Sequence, residues 1–460
     1  MKIIITVFAC VLFLNASAQQ KYSLGMNFDD EGYQKTPQKA QLMTRDFTIM
    51  PKSYSLKKYS PTPGNQGQTG TCVGWSSSYA GRTILEAKAN DWTDKNVIGQ
   101  NIFSPGYVYK LISTDPTCQN GTFVHEALAV LEQKGAPKLK DMPTTCVPSI
   151  PSNMHNLAAN YKIKGFARLF EMNATNSQVI QSTKKSIVNG NPVIIGMRCA
   201  DSFFNAKGAW NPTEDPNANF GGHAMCVIGY DDNQYGGAFE VQNSWGTDWG
   251  NGGYIWIPYE TYANFTDYGF EMIAIPKAKP KIDDLAGAIK FQLDSGDEMK
   301  AQLTRSGSLG YYKMIEPYSS GTRFRLYISN NQPAFVYAIG TDETEKLFTI
   351  FPYAEGISPA LNYESNNVAL PDEKHYIRMD NTVGKDYLCV LYSKDPLDLD
   401  AIKNQISQLS GSFVDKINTV LKSKLVNAAV TKYSSNEIKF SAQSQGKSVV
   451  AVIVETKHTE

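Results

Sequence analysis

The run Asn65-Gln66-Gly67-Gln68-Thr69-Gly70-Thr71-Cys72-Val73-Gly74-Trp75 decides how the rest of the chain is read. Its glycines permit sharp turns and positive φ. Beyond Cys72 the residues Tyr79, Ala80, Thr83, Ile84 and Ala87 recur at helical spacing, which predicts a helix with one buried face. The loop therefore delivers one cysteine to the start of a helix. Unpaired N–H groups and the positive end of the helix dipole lie there, and both favour the nucleophilic thiolate.

A cysteine alone means little, because free thiols usually behave as small buried hydrophobes. A catalytic one needs a base and a group that orients the base. Gly221-Gly222-His223-Ala224-Met225-Cys226-Val227-Ile228-Gly229-Tyr230 places a histidine at the mouth of an apolar strand. Val241-Gln242-Asn243-Ser244-Trp245-Gly246-Thr247-Asp248-Trp249-Gly250-Asn251-Gly252-Gly253-Tyr254 places an asparagine at the end of another. The chain order is Cys, His, Asn.

These three stretches resemble the papain-like cysteine peptidases, over about residues 51–276. The loop is similar to that family's Gln-Gly-x-x-Gly-x-Cys signature, with Gln66 six positions before Cys72. The other two runs resemble its histidine and asparagine signatures. Cys72 and His223 are 223 − 72 = 151 positions apart, close to the family's separation of about 130–150.

The resemblance implies roles. Cys72 is the expected nucleophile, His223 the general base and later acid, and Asn243 the group that holds the imidazole. Gln66 is expected to donate to the oxyanion together with the Cys72 backbone N–H. Trp245 is expected to shield the His–Asn bond. Gly121, Gly222 and Trp245 are the candidate substrate-binding residues. No metal or cofactor is implied. The sequence departs from many relatives at Thr69, where they carry a cysteine, at Val73, where they carry Trp, and at Gly222, where plant members often carry Asp. The last change bears on the pH profile more than on the mechanism.

Composition sets the frame. At 460 residues the length suggests two or three domains. Acidic and basic residues balance at 44 each, and the lack of a long basic run argues against a nucleic-acid partner. Met1-Lys2, an apolar run to Leu14 and Ala16-Ser17-Ala18 read as a signal peptide over 1–18, cut before Gln19. No later stretch is apolar enough to span a membrane. The mature protein is thus expected to be exported, periplasmic or extracellular, where disulfides persist. Cys118 and Cys146 flank the helix-like 123–134 in a loop-rich region, and Thr69 leaves Cys118 without the partner relatives would offer. They form the candidate disulfide. Cys199, Cys226 and Cys389 read as core thiols. His125, His155, His375 and His458 read as surface residues without partners.

Residues 19–50 are polar and weakly periodic, and read as an N-terminal strap or short pro-segment. Within 51–276, helices are expected over 104–112, 123–134 and 176–189, and strands over 163–169, 192–197, 224–230, 239–242, 253–257 and 270–275. Helices early and strands late make an α+β fold. The resemblance adds a helical lobe and a β-rich lobe with the site between them. A Pro-Lys linker, 277–288, precedes a β-rich accessory domain, 289–460. Alternating runs there predict a sandwich with one or two helices and a closing strand at 448–454. That half faintly resembles a domain of unknown function on exported bacterial proteins, which carries no activity.

The leading expectation is an exported cysteine peptidase, an endopeptidase acting on peptides or proteins through a covalent acyl-enzyme. The C-terminal domain is expected to bind a protein or surface partner. Two alternatives stand beside it: a catalytically inactive binding protein on the same fold, and a thiol acyl-transfer or amidase enzyme.

Overall fold

A computed structural model describes residues 22–40, 50–274, 282–305, 307–363 and 366–460. The signal-peptide expectation and residues 277–281 of the linker lie outside these residues.

The helix after the loop is more deeply placed than its periodicity suggested. It runs as α-helix over Cys72–Gly74, widens to a π segment over Trp75–Arg82, and resumes over Thr83–Ala89. Every residue from Cys72 to Leu85 is buried. A helix enclosed on all sides needs no polar face, so the expected single buried stripe is replaced by burial all round. Small residues make this possible. The Ser76 and Ser77 hydroxyls donate back to the Val73 carbonyl at 3.2 and 2.6 Å. A Cβ on Gly81 would lie 2.6 Å from Met272 Cε and 2.7 Å from Ile194 Cδ1. The helix thus lies directly against the sheet.

The other helices start and stop where side chains dictate. Pro105–Ile112 is capped by Ser104, whose hydroxyl accepts the Tyr107 N–H at 3.3 Å. Val124–Gln133 is followed by Gly135 at φ +76°, which a side chain would resist. Asn176–Val188 opens with a capping box between Thr175 and Gln178.

The sheet of this half is antiparallel, in the spatial order Gly165–Arg168, Thr266–Ile273, Val193–Cys199, Gly221–Asp231, Ala238–Gln242, Tyr254–Pro258, and Ser53–Ser55 pairs with Gly221–Asp231. The Gly221–Asp231 strand is buried from Gly222 to Tyr230. Cys226 faces Gln242 across the ladder. That register brings His223, near the start of one strand, beside Asn243, just past the end of its antiparallel neighbour.

The second half is a sandwich of an eight-stranded and a six-stranded sheet. Its first strand, Leu285–Leu293, begins inside the expected linker. The apolar runs at its centre show no alternation for a packing reason. In Ala334–Thr341, Val336 and Ala338 enter the core between the sheets, while Phe335, Tyr337 and Ile339 join a second core under the helices Leu399–Ser407 and Phe413–Leu421. A strand covered on both faces reads as continuous hydrophobicity. That second core also contains Ala167 and Ile273 of the first half, so the two halves share buried apolar surface.

The histidines need correction. His458 is buried, with its ring between Ser320 Oγ and Asp386 Oδ2, each at 3.1 Å. It lies inside the long strand Val449–Thr459, paired with Gly384 on one side and Tyr318 on the other. His125 is half-buried beside Asp29, at 3.5 Å. His155 and His375 are exposed, yet they pair with Tyr107 and Asp372 at 2.9 and 2.6 Å.

Candidate active site

The three stretches singled out in the sequence converge. Cys72 opens its helix, and its Sγ accepts the Ala224 N–H at 3.5 Å, next to His223. His223 Nε2 lies 2.8 Å from Asn243 Oδ1. That oxygen also accepts the Ser244 N–H at 2.7 Å, which fixes the amide's orientation. An amide oxygen can only accept, so His223 Nε2 carries the hydrogen and Nδ1 is bare. Nδ1 is buried and has no hydrogen-bond partner among the described residues. Trp245 stacks on the imidazole, ring centres 4.6 Å apart.

Gln66 is fixed from both ends. Its Oε1 accepts the Ser244 hydroxyl at 2.6 Å. Its Nε2 donates to the Thr69 carbonyl at 2.7 Å and to the Ser23 carbonyl at 3.0 Å. Trp245 Nε1 donates to the same Ser23 oxygen at 3.1 Å. Ser244 was not singled out from sequence, although its place beside Asn243 made it a candidate to touch whatever Asn243 touches.

Ser23 belongs to the N-terminal segment, and this segment fills the cleft. The Tyr22 ring stacks on Trp245 at 4.9 Å. Gly25 passes so close to the nucleophile loop that a Cβ on it would lie 2.2 Å from the Gly70 carbonyl carbon. Met26 N–H donates to the Gly222 carbonyl at 3.2 Å on one wall. On the other wall Asn27 N–H donates to the Thr122 carbonyl at 2.9 Å, and Thr122 N–H donates to the Gly25 carbonyl at 3.0 Å. Of the expected substrate-binding residues, Gly222 and Trp245 hold the segment directly. Gly121 uses only its carbonyl, which accepts the Asn27 side chain at 2.9 Å. The backbone that pairs is that of Thr122, one position on; a threonine gives no sequence signal for such a role.

The Met26 side chain occupies a recess kept open by glycines. A Cβ on Gly196 would lie 2.6 Å from Met26 Sδ, and one on Gly222 would lie 2.9 Å from Met26 Cε. The segment then forms the short helix Asp30–Lys35. Tyr33 is fully buried there, stacked on Tyr268 at 4.7 Å and donating to the Phe170 carbonyl at 2.8 Å.

Burial sets the electrostatics. Burial pushes the Cys72 thiol up to about 12, against the pull of the N–H groups of Ala224, Val73, Cys72 and Gly25. Burial likewise lowers His223 to about 4, only partly offset by Asn243. The expected thiolate is therefore not the form held here. Desolvation outweighs the helix-terminal field, so the covered pair is a neutral thiol beside a neutral imidazole.

Cys118 and Cys146 are bonded, with Cα atoms 5.8 Å apart. Cys72, Cys199, Cys226 and Cys389 are free and buried. Among the described residues no cluster of side chains suits a metal ion. None of the described helices is long and apolar enough to cross a membrane.

With this geometry in view, residues 51–273 match the family described as papain family cysteine protease. This region belongs to the papain family. Cysteine proteinase 3 of Entamoeba histolytica is 25% identical over 207 residues, 45% of this chain and 62% of that protein. An uncharacterized peptidase C1-like protein of Acanthamoeba polyphaga mimivirus is 32% identical over 104 residues, 22% of this chain and 33% of that one. The chain thus spans less than two-thirds of either relative. Among solved structures, xylellain, a cysteine protease from Xylella fastidiosa, aligns with 56% of this chain and 97% of its own, at 21% identity and a TM-score of 0.45. The papain-family region ends before the β-rich half, whose first strand starts at Leu285.

Proposed function

We propose that the chain is an exported cysteine endopeptidase that its own residues 22–40 hold latent. The observation that carries this reading is the extended backbone at Gly25, Met26 and Asn27. It is hydrogen-bonded to both walls of the cleft above Cys72, with a neighbouring carbonyl on the Gln66 amide. A cleft built this way accepts a peptide main chain.

Once the strap leaves, a substrate peptide takes its place. The Cys72 proton moves to the bare His223 Nδ1, and the thiolate attacks the scissile carbonyl carbon. The carbonyl oxygen becomes an oxyanion that Gln66 Nε2 meets. His223 returns its proton to the departing amine as the C–N bond breaks, leaving a thioester on Cys72. Water then attacks the thioester with His223 as base, which releases the acid and restores the thiol. Asn243 keeps the imidazole in the tautomer this sequence needs.

The strap resists this chemistry because its peptides are out of step with it. The residue above Sγ is Gly25, whereas the carbonyl on Gln66 belongs to Ser23.

The test is mass spectrometry of a denatured protein mixture after incubation with a chain beginning at Pro51. New termini from internal cleavage, absent with Cys72→Ala, are expected. Uncut protein would favour a binding role, and products joined to an added amine without free acids would favour acyl transfer.

A further inference from the structure

Beyond the cleft the strap runs into the seam between the two halves. The Gln38 N–H donates to the Gly356 carbonyl at 2.6 Å, and the Ser358 N–H donates to the Gln38 carbonyl at 2.7 Å. On its other edge the Lys39 N–H donates to the Arg168 carbonyl at 2.8 Å, and the Arg168 N–H donates to the Pro37 carbonyl at 2.9 Å. Residues 37–39 are therefore a short strand added between the edge strand Gly165–Arg168 of the peptidase half and the 356–358 segment of the sandwich. Ala40, next along, lies in the sandwich's own core.

Lys39 fixes this junction. Its ammonium is buried and lies 2.8 Å from Glu271 Oε1, which is itself completely buried. The same ammonium donates to Asn362 Oδ1 and lies 4.1 Å from the Tyr363 ring centre. Glu271 in turn accepts from Ser186 Oγ at 2.7 Å, from Asn362 Nδ2 at 2.8 Å and from the Tyr363 hydroxyl. One network thus joins three parts of the chain: the strap through Lys39, the peptidase through Glu271 and Ser186, and the sandwich through Asn362 and Tyr363. A buried ion pair is tolerated only while its remaining hydrogen-bonding positions are filled, and here the sandwich fills them.

We propose that the C-terminal sandwich is the receptor for residues 37–40 of the strap, and that latency of the peptidase depends on this second anchor. The inference rests on the reading that the strap blocks the cleft. Its physical basis is effective concentration. The strap is a multi-point ligand, held at Gly25, Met26 and Asn27 in the cleft, at Tyr33 in the middle and at Gln38, Lys39 and Ala40 in the seam. Losing the seam end lowers the effective concentration of the remaining strap at the cleft. The sandwich is thereby a regulator of access to Cys72 although none of its described residues lines the cleft. A partner that pulled the sandwich away from Lys39 would start the enzyme.

The experiment uses the full chain and two readouts, the rate at which iodoacetamide alkylates Cys72 and the hydrolysis of a small fluorogenic peptide. Asn362→Ala and Tyr363→Phe alter only the sandwich, and Lys39→Met only the strap. Each is expected to raise both rates about tenfold or more, because removing one partner of a buried charge network is strongly unfavourable. Lys39→Met combined with Asn362→Ala is expected to add little to either alone, since both act through one network. Gly25→Val, which collides with Gly70, is the reference that frees the cleft end directly. If Gly25→Val raises both rates while the network variants leave them unchanged, or if the paired variants add in full, the sandwich anchor is overturned and latency stands. If Gly25→Val changes neither rate, the latency reading itself fails. Hydrogen exchange on the unaltered chain guards against misfolded variants. The Gln38 and Lys39 amides are expected to exchange as slowly as those of the Val193–Cys199 strand, and exchange within seconds would also overturn the anchor.

Discussion

The Ser23 carbonyl oxygen lies 3.0 Å from Gln66 Nε2, so the strap has put a peptide carbonyl on the side chain proposed to meet the reaction's oxyanion. The Ser244 hydroxyl on Gln66 Oε1 turns the NH2 group toward that oxygen. In a chain freed of the strap, Gln66→Ala is expected to lower kcat by about 10²–10³. KM should change little, because the donor acts mainly in the transition state. Steady-state kinetics on a fluorogenic peptide measures both, and near-full turnover would remove Gln66 from the mechanism.

Thiol reactivity should report the strap. Among the described residues all four free cysteines are buried, and the Cys72 thiol is held neutral beneath Gly25. The full chain is therefore expected to alkylate slowly. A chain beginning at Pro51 should label at Cys72 first and lose its activity, with Cys199, Cys226 and Cys389 left unmodified. Peptide mapping by mass spectrometry decides this. Labelling of Cys199 before Cys72 would contradict it.

The convergence of Cys72, His223 and Asn243 was legible because the proposed chemistry needs particular residue types at local spacings. Cys72, His223 and Asn243 each lie within a run whose glycines and apolar residues announce a turn or a strand. What could not be read was set by contacts distant in the chain. Thr122 pairs with the strap through its backbone, which leaves no mark on residue type. Lys39 and Glu271 look like surface charges until the sandwich's Asn362 and Tyr363 enclose them. The all-round burial of Trp75–Arg82 is likewise imposed by packing against both the sheet and the neighbouring helices. The sandwich's doubly covered strands were visible as apolar runs, but the second helical layer that makes them so was not visible from those runs.

The covered site should have a pH window. Burial lowers His223 from 6.5 to about 4, so folding of the site is opposed once the imidazole protonates in the unfolded chain. The associated stability is fully present above pH 6.5 and is lost as pH falls toward 4, by at most about 3 kcal/mol. Burial raises the Cys72 thiol from 9.0 to about 12, so the corresponding stability is present below pH 9 and is lost as pH rises toward 12. Unfolding stability, followed by denaturant titration, is expected to be greatest between about pH 6.5 and 9. A stability that stayed flat from pH 4 to 9 would count against it.

The Met26 recess should set a preference. Its floor is Gly196, where a Cβ would come 2.6 Å from the methionine sulfur, and Tyr268 lies beside it. Peptides placing a long unbranched apolar side chain in this recess are expected to be cleaved fastest. Gly196→Val should lower kcat/KM for methionine-containing peptides by more than about tenfold, since overpacking a filled site is costly. Alanine-containing peptides should be much less affected. Equal losses for both would show that the recess does not select.

The disulfide should matter to the cleft as well as to stability. Cys118 offers its carbonyl to the Gly70 N–H at 2.7 Å, tying the nucleophile loop to the opposite wall. Two residues beyond that contact, Asn120 accepts from the Tyr109 hydroxyl at 2.8 Å. The Asp115 carboxylate holds the turn between them by accepting the N–H groups of Thr117, Gln119 and Asn120. The Thr117 hydroxyl, together with these N–H groups, lowers its pKa to about 2. The Cys118–Cys146 bond closes 28 residues around this wall. By the chain-entropy model it contributes roughly 3–4 kcal/mol. Cys146→Ser is expected to lower unfolding stability by that order in denaturant titrations. Because Thr122 follows the same turn, KM should also rise more than kcat falls. A variant with unchanged KM would show that Asp115 and Tyr109 hold the wall without the bond.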